Sequence, residues 1–61
     1  MPLVQVKLFE EELSDETVTK LISELTDAVC RATREEMRPA VWVLVDGIPS
    51  KSWGAAGKPL G

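Results

Sequence analysis

Sixty-one residues hold one domain and leave little interior in which to bury side chains. A core of this size supplies roughly 3–5 kcal/mol, and the chain's single cysteine and lack of histidine exclude an internal disulfide and a Cys/His zinc site, so self-association is the expected remedy. Ten acidic against seven basic side chains give a net charge of −3, the wrong sign for tracking a phosphate backbone, so nucleic acid is not an expected partner.

Leu3 to Phe9 alternates, with Val4, Val6 and Leu8 on one side and Gln5 and Lys7 on the other, which predicts a strand. Glu10, Glu11 and Glu12 follow; they read as a solvated loop, unless one of them faces a cleft. Ser14-Asp15-Glu16 then offers a cap and negative charge at a helix N-terminus. Val18, Leu21, Ile22, Leu25, Ala28, Val29 and Ala32 fall at the three-and-four spacing that lays one apolar stripe along about five turns of helix. A 100° step per residue places Cys30 away from that stripe, toward the polar side. The helix is expected to end over Glu35–Pro39, because the residue before a proline is pushed to extended geometry.

The run Ala40 to Val45 is continuously apolar, the pattern of a strand covered on both faces. It is the longest such run and is far short of the roughly 20 residues that cross a bilayer; with no signal peptide evident, no membrane partner is expected and the cytoplasm is the default location. Strand, helix and strand form a βαβ unit of the α/β (equally α+β) class, with two parallel strands and a helix on one face of the sheet. The opposite face lacks a cover and reads as an interface between copies. After Asp46 the Gly-, Pro- and Ser-rich segment reads as a loop or short hairpin, which Trp53 and Leu60 would dock, on a neighbouring subunit by preference.

The usual catalytic inventory is nearly empty: there is no histidine base and no phosphate-cradling glycine loop, and neither a metal nor a cofactor is called for. The unusual residue is Pro2. Removal of Met1 would leave it a secondary amine that titrates near neutrality, partly neutral when half-buried, with its lone pair aimed by a rigid ring. By its position alone a proline there is weak evidence of chemistry, since it can simply begin an edge strand.

Nearly the whole chain resembles the 4-oxalocrotonate tautomerase family, the short members of the tautomerase superfamily. The resemblance rests on the opening Met-Pro-Leu-Val-Gln-Val-Lys, the Ser14-Asp15-Glu16 helix start, the stripe Leu21-Ile22 to Ala28-Val29, the Val41–Val45 strand and Ser52-Trp53-Gly54-Ala55-Ala56-Gly57-Lys58. It implies a βαβ protomer that pairs into four-stranded layers and assembles as a homo-oligomer, a hexamer first, with trimer or dimer as alternatives. It implies a general acid/base at Pro2 that moves a proton between the oxygen and carbon of a small 2-hydroxydienoate or related enol or keto acid. It also implies that Trp53 lines the apolar pocket, although that residue would serve equally as an interface plug. Family members carry an arginine in a Glu-Gly-Arg run where this chain has Glu11, Glu12 and Leu13, and a second arginine where it has Trp42. An indole or a carboxylate cannot replace a guanidinium fork, so substrates with one carboxylate or none are expected. Trp42 then becomes a pocket wall beside Trp53. Arg38, just ahead of the second strand, is the preferred substitute cation over Lys7 and Lys51. The alternatives are a related proline-dependent decarboxylase or hydratase, or a non-catalytic oligomeric binding protein.

Overall fold

The computed structural model describes residues 2–61. Strand β1 spans Leu3–Phe9, as the alternation predicts, and pairs in parallel with β2, Trp42–Ile48, in a register running from Leu3 opposite Trp42 to Phe9 opposite Ile48. Helix α1, Asp15–Ala32, crosses back between them. Its start is fixed by Ser14, whose Oγ accepts the Thr17 backbone N–H at 3.1 Å, with Asp15 and Glu16 placing negative charge in the first turn.

The helix ends earlier than expected. Thr33 closes it through an N–H bond to the Val29 carbonyl, and Glu35–Ala40 form a separate 3₁₀ turn that accommodates Pro39. That turn packs against the end of α1, and Cys30, expected on the polar side, is the one buried apolar side chain among the described residues, 5% exposed. The helical period locates the stripe that faces the sheet but contains nothing about a second cover arriving from the far end of the helix. Ile22 and Ala32 of the stripe stay exposed.

The apolar run also behaves differently from the expectation of two covered faces. Strand β2 starts at Trp42, two residues late, and alternates: Val43 and Val45 are half-buried beneath α1, whereas Trp42 and Leu44 are exposed on the opposite face. Leu3 joins them from β1, and the face turns polar at its other end, where Lys7 and Asp46 pair at 3.1 Å. One protomer therefore has a single helix layer on a two-stranded sheet.

The C-terminal segment is the short hairpin anticipated as one of two options. Strands β3, Gly54–Ala55, and β4, Lys58–Pro59, pair antiparallel around Ala56 and Gly57, both at positive φ (54° and 81°), the twist that a two-residue hairpin turn requires. The chain measures 43 × 25 × 14 Å, and its radius of gyration of 14.2 Å exceeds the roughly 10–11 Å of a compact chain of this length. No helix among the described residues is long and apolar enough to cross a membrane.

Candidate active site

Pro2 is half-buried immediately ahead of β1. Its missing N–H costs the sheet nothing at that position, and its carbonyl accepts the Trp42 backbone N–H at 3.0 Å. The start of β1 and the start of β2 are thereby locked together, bringing two of the expected site residues to one end of the sheet. Trp42 is 58% exposed beside Leu3, so the uncovered face at this end of the sheet presents an indole and an isobutyl group. Met1, whose removal the amine chemistry requires, lies outside the described residues.

Arg38 belongs to the same end through its backbone, since its carbonyl receives the Val41 N–H one residue before β2. Its guanidinium is directed elsewhere. Nε and Nη2 grip the Glu35 carboxylate at 2.6 and 3.3 Å, and Nη1 donates to Asp27 on α1 at 2.8 Å. These bonds raise the Arg38 pKa, Glu35 contributing first and Asp27 second, and the Arg38 hydrogen bond holds Glu35 below the usual carboxylate range. The cation nominated to grip substrate is thus bridged between two carboxylates, where it ties the 3₁₀ turn to the helix.

Trp53 lies at the opposite end. Its indole N–H donates to the Ile48 carbonyl at 3.1 Å and its ring meets Phe9 edge-to-face, centroids 5.0 Å apart at 85°. Phe9 and Ile48 close the far end of the paired strands, so seven residues of β1 separate Trp53 from Pro2 by roughly 20 Å. Within one protomer Pro2, Trp42 and Trp53 are not brought together. A groove of about 380 Å³ on α1, lined by Glu16, Thr17, Lys20, Leu21 and Glu24, includes none of them.

Gly47 was not singled out by the sequence, and Glu11 was, but only as part of a solvated loop or a residue facing a cleft. Gly47 lies where a Cβ would come within 2.7 Å of Leu13 Cδ1 and 3.3 Å of Glu10 Cα, so a bare backbone lets the Glu10–Glu12 turn seat directly on β2. An isolated glycine inside a strand pattern is a recognisable sign of such close approach. Glu11, in the stretch read as solvated loop, accepts the Ser50 hydroxyl at 2.6 Å. That bond is the leading reason its carboxyl is held below the ordinary range, with the backbone N–H groups of Glu11 and Ser50 adding to it. No local pattern points to a partner 39 residues away.

Residues 2–61 match the family model described as tautomerase enzyme. The chain belongs to the tautomerase family. Curated tautomerase relatives include a Staphylococcus aureus protein named as a probable tautomerase, 42% identical over 57 residues, covering 93% of this chain and 90% of the relative. The crystal structure of that S. aureus tautomerase relative matches with a TM-score of 0.81 at 40% identity, over 95% of this chain and 90% of the other. A probable tautomerase of Ralstonia nicotianae is 41% identical over 59 residues, 97% of this chain and 81% of its own length. The structure of a 4-oxalocrotonate tautomerase homologue in the tomaymycin biosynthetic pathway matches with a TM-score of 0.77 at 32% identity, over 97% of this chain and 88% of that one. These likenesses bear out the tautomerase resemblance and the βαβ architecture.

Proposed function

We propose that, once Met1 is removed, the secondary amine of Pro2 is the general acid and base of a cytoplasmic keto–enol tautomerase acting on small 2-hydroxydienoate or related enol and keto acids. One observation carries the reading: in a chain that matches the tautomerase model from residue 2 onward, Pro2 is half-buried and pinned through its carbonyl to Trp42. A free α-amine titrates at about 7.7–8.0, and partial burial disfavours its charged form, so a neutral base is available at physiological pH. The neutral nitrogen takes the enol O–H proton. The oxygen's electron pair becomes the carbonyl π bond, the carbon–carbon double bond moves along the chain, and the protonated amine returns a proton to carbon.

Trp42 supplies an apolar wall beside this nitrogen. Trp53 completes the pocket only from a second copy, because its own protomer holds it at the far end of the sheet. The exposed Leu3, Trp42 and Leu44 and the extended shape of the protomer support a homo-oligomer, a hexamer first and a trimer or dimer otherwise. Arg38 already shares its charge between Asp27 and Glu35, which weakens its pull on a further carboxylate, so the reading favours substrates with one carboxylate or none.

The test is Pro2→Ala, with intact mass showing that both proteins begin at residue 2. Alanine leaves a primary amine without the ring's fixed direction, and kcat/KM is expected to fall by roughly 10²–10⁴ while stability changes by about 1 kcal/mol or less. Equal activity of the two proteins would remove Pro2 from the mechanism. Inactivity of the parent toward enol acids alongside turnover of a decarboxylation or hydration substrate would move the same residue to those reactions, and no turnover at all would favour a binding protein.

A further inference from the structure

The Glu11–Ser50 hydrogen bond joins the turn after β1 to the turn after β2, and that second turn leads directly into Trp53. Ser50–Ser52 form a 3₁₀ turn in which the Ser52 N–H bonds to Pro49 and the Trp53 N–H bonds to the Ser50 carbonyl. Trp53 is thus the closing residue of a turn whose first residue is held from outside. The other end of the tie is rigid as well. Gly47 seats Glu10 and Leu13 against β2, and the Leu13 N–H returns to the Glu10 carbonyl at 3.1 Å, so Glu11 projects from a turn clamped to the sheet. Trp53 itself bears on the sheet through Phe9 and the Ile48 carbonyl, and its carbonyl accepts the Leu60 N–H at 2.8 Å, carrying its placement into the hairpin.

We propose that Glu11 is the positioning residue of Trp53: by accepting the Ser50 hydroxyl it sets the turn that presents the indole to the substrate pocket of a neighbouring copy. The part concerning substrate rests on the reading of Trp53 under Proposed function; the part concerning placement does not. Glu11 touches no reacting atom in this scheme and acts through Ser50. Its carboxylate is suited to the task because it accepts from a neutral hydroxyl through a short, charge-assisted bond, and an amide oxygen can do the same less strongly.

The experiment uses the whole protein labelled with 5-fluorotryptophan, the Trp53 fluorine resonance being assigned from Trp53→Phe. Glu11→Ala should shift and broaden the Trp53 resonance and raise KM for an arylenolpyruvate by roughly threefold to tenfold with kcat within about twofold, since the indole binds substrate and takes no part in proton transfer. Ser50→Ala, which removes the same bond from the other side, should reproduce both effects and add little when combined with Glu11→Ala. Glu11→Gln, which keeps an acceptor, should restore most of each. A Trp53 resonance unchanged in both alanine variants overturns the proposal, as does a double variant whose effects simply add. A resonance that moves in both while KM stays constant supports the placement by Glu11 and overturns the reading of Trp53 as a pocket wall.

Discussion

Leu44→Glu tests whether the uncovered sheet face is an interface between copies. Leu44 is 51% exposed in the protomer, beside Leu3 at 54% and Trp42 at 58%. Complete burial of a leucine contributes about 1.5–3 kcal/mol, so covering the remaining half of Leu44 contributes roughly 1 kcal/mol to assembly. Glutamate loses that contribution and adds the cost of stripping water from an unpaired carboxylate, several kcal/mol even after relaxation. A penalty of roughly 4 kcal/mol per protomer corresponds to about a thousandfold in each contact, which dissociates at micromolar concentration a contact whose parent Kd is about 1 nM or weaker. The folded protomer exposes this position already, so the substitution disturbs no contact beneath α1. Sedimentation velocity should give the parent a mass well above 6.7 kDa and Leu44→Glu a mass near it, while Leu44→Met retains the parent's mass. A Leu44→Glu protein that sediments with the parent's mass would show that this face is not where copies meet.

Three further outcomes are expected. Because Trp42 stands beside Pro2 and Arg38 is bridged by Asp27 and Glu35, kcat/KM should favour an arylenolpyruvate over a hydroxymuconate; a strong preference for the dicarboxylate would require a basic group that these residues do not provide. Gly47→Ala brings a methyl within 2.7 Å of the movable Leu13 Cδ1 and 3.3 Å of the fixed Glu10 Cα, so a loss of about 1–2 kcal/mol, read as a fall of roughly 4–16 °C in Tm, is expected, and an unchanged Tm would show that the Glu10–Leu13 segment is not held as tightly as its contacts indicate. Glu11 and Glu35 are both depressed below the ordinary value of 4.5, Glu11 by the Ser50 hydrogen bond and Glu35 by the Arg38 hydrogen bond, so their stabilisation is fully present above that value and is lost as pH falls through the folded-state values. Tm measured against pH should therefore be level above 4.5 and decline below it, with a shallower decline in Glu11→Gln; an identical decline in that variant would remove Glu11 as a contributor.

Much of the architecture was legible in the order of residues because it is local. The alternation of Val4, Val6 and Leu8 places β1, the Ser14 cap begins α1, and the Ala40–Val45 run announces β2 even though its start and its burial differ from the simplest reading. Pro2 draws notice by its position, but its nomination for a site, like that of Trp42, came through the family resemblance. Arg38 could be nominated too, but what its guanidinium holds depends on Asp27, a residue one helix turn pattern cannot connect to it. Cys30 was misplaced for a related reason: a helical wheel counts one partner surface, and the 3₁₀ turn at Glu35–Ala40 supplies another.

By itself the sequence determined the periodicities, the helix cap, the scarcity of interior, the absence of histidine and the presence of a proline at the second position, all of which are properties of single residues or of spacings within one element. The tertiary structure decided the rest. It placed Pro2 and Trp42 at one end of the sheet and Trp53 at the other, engaged Arg38 between two carboxylates, seated the turn after β1 on Gly47 and joined Glu11 to Ser50. All but the Arg38 contacts, which join the 3₁₀ turn to α1, depend on the parallel register of β1 and β2, which sets residues 39 apart beside one another. Spacing along a chain reports which face of its own element a side chain occupies; what stands opposite that face is fixed only when the elements pack.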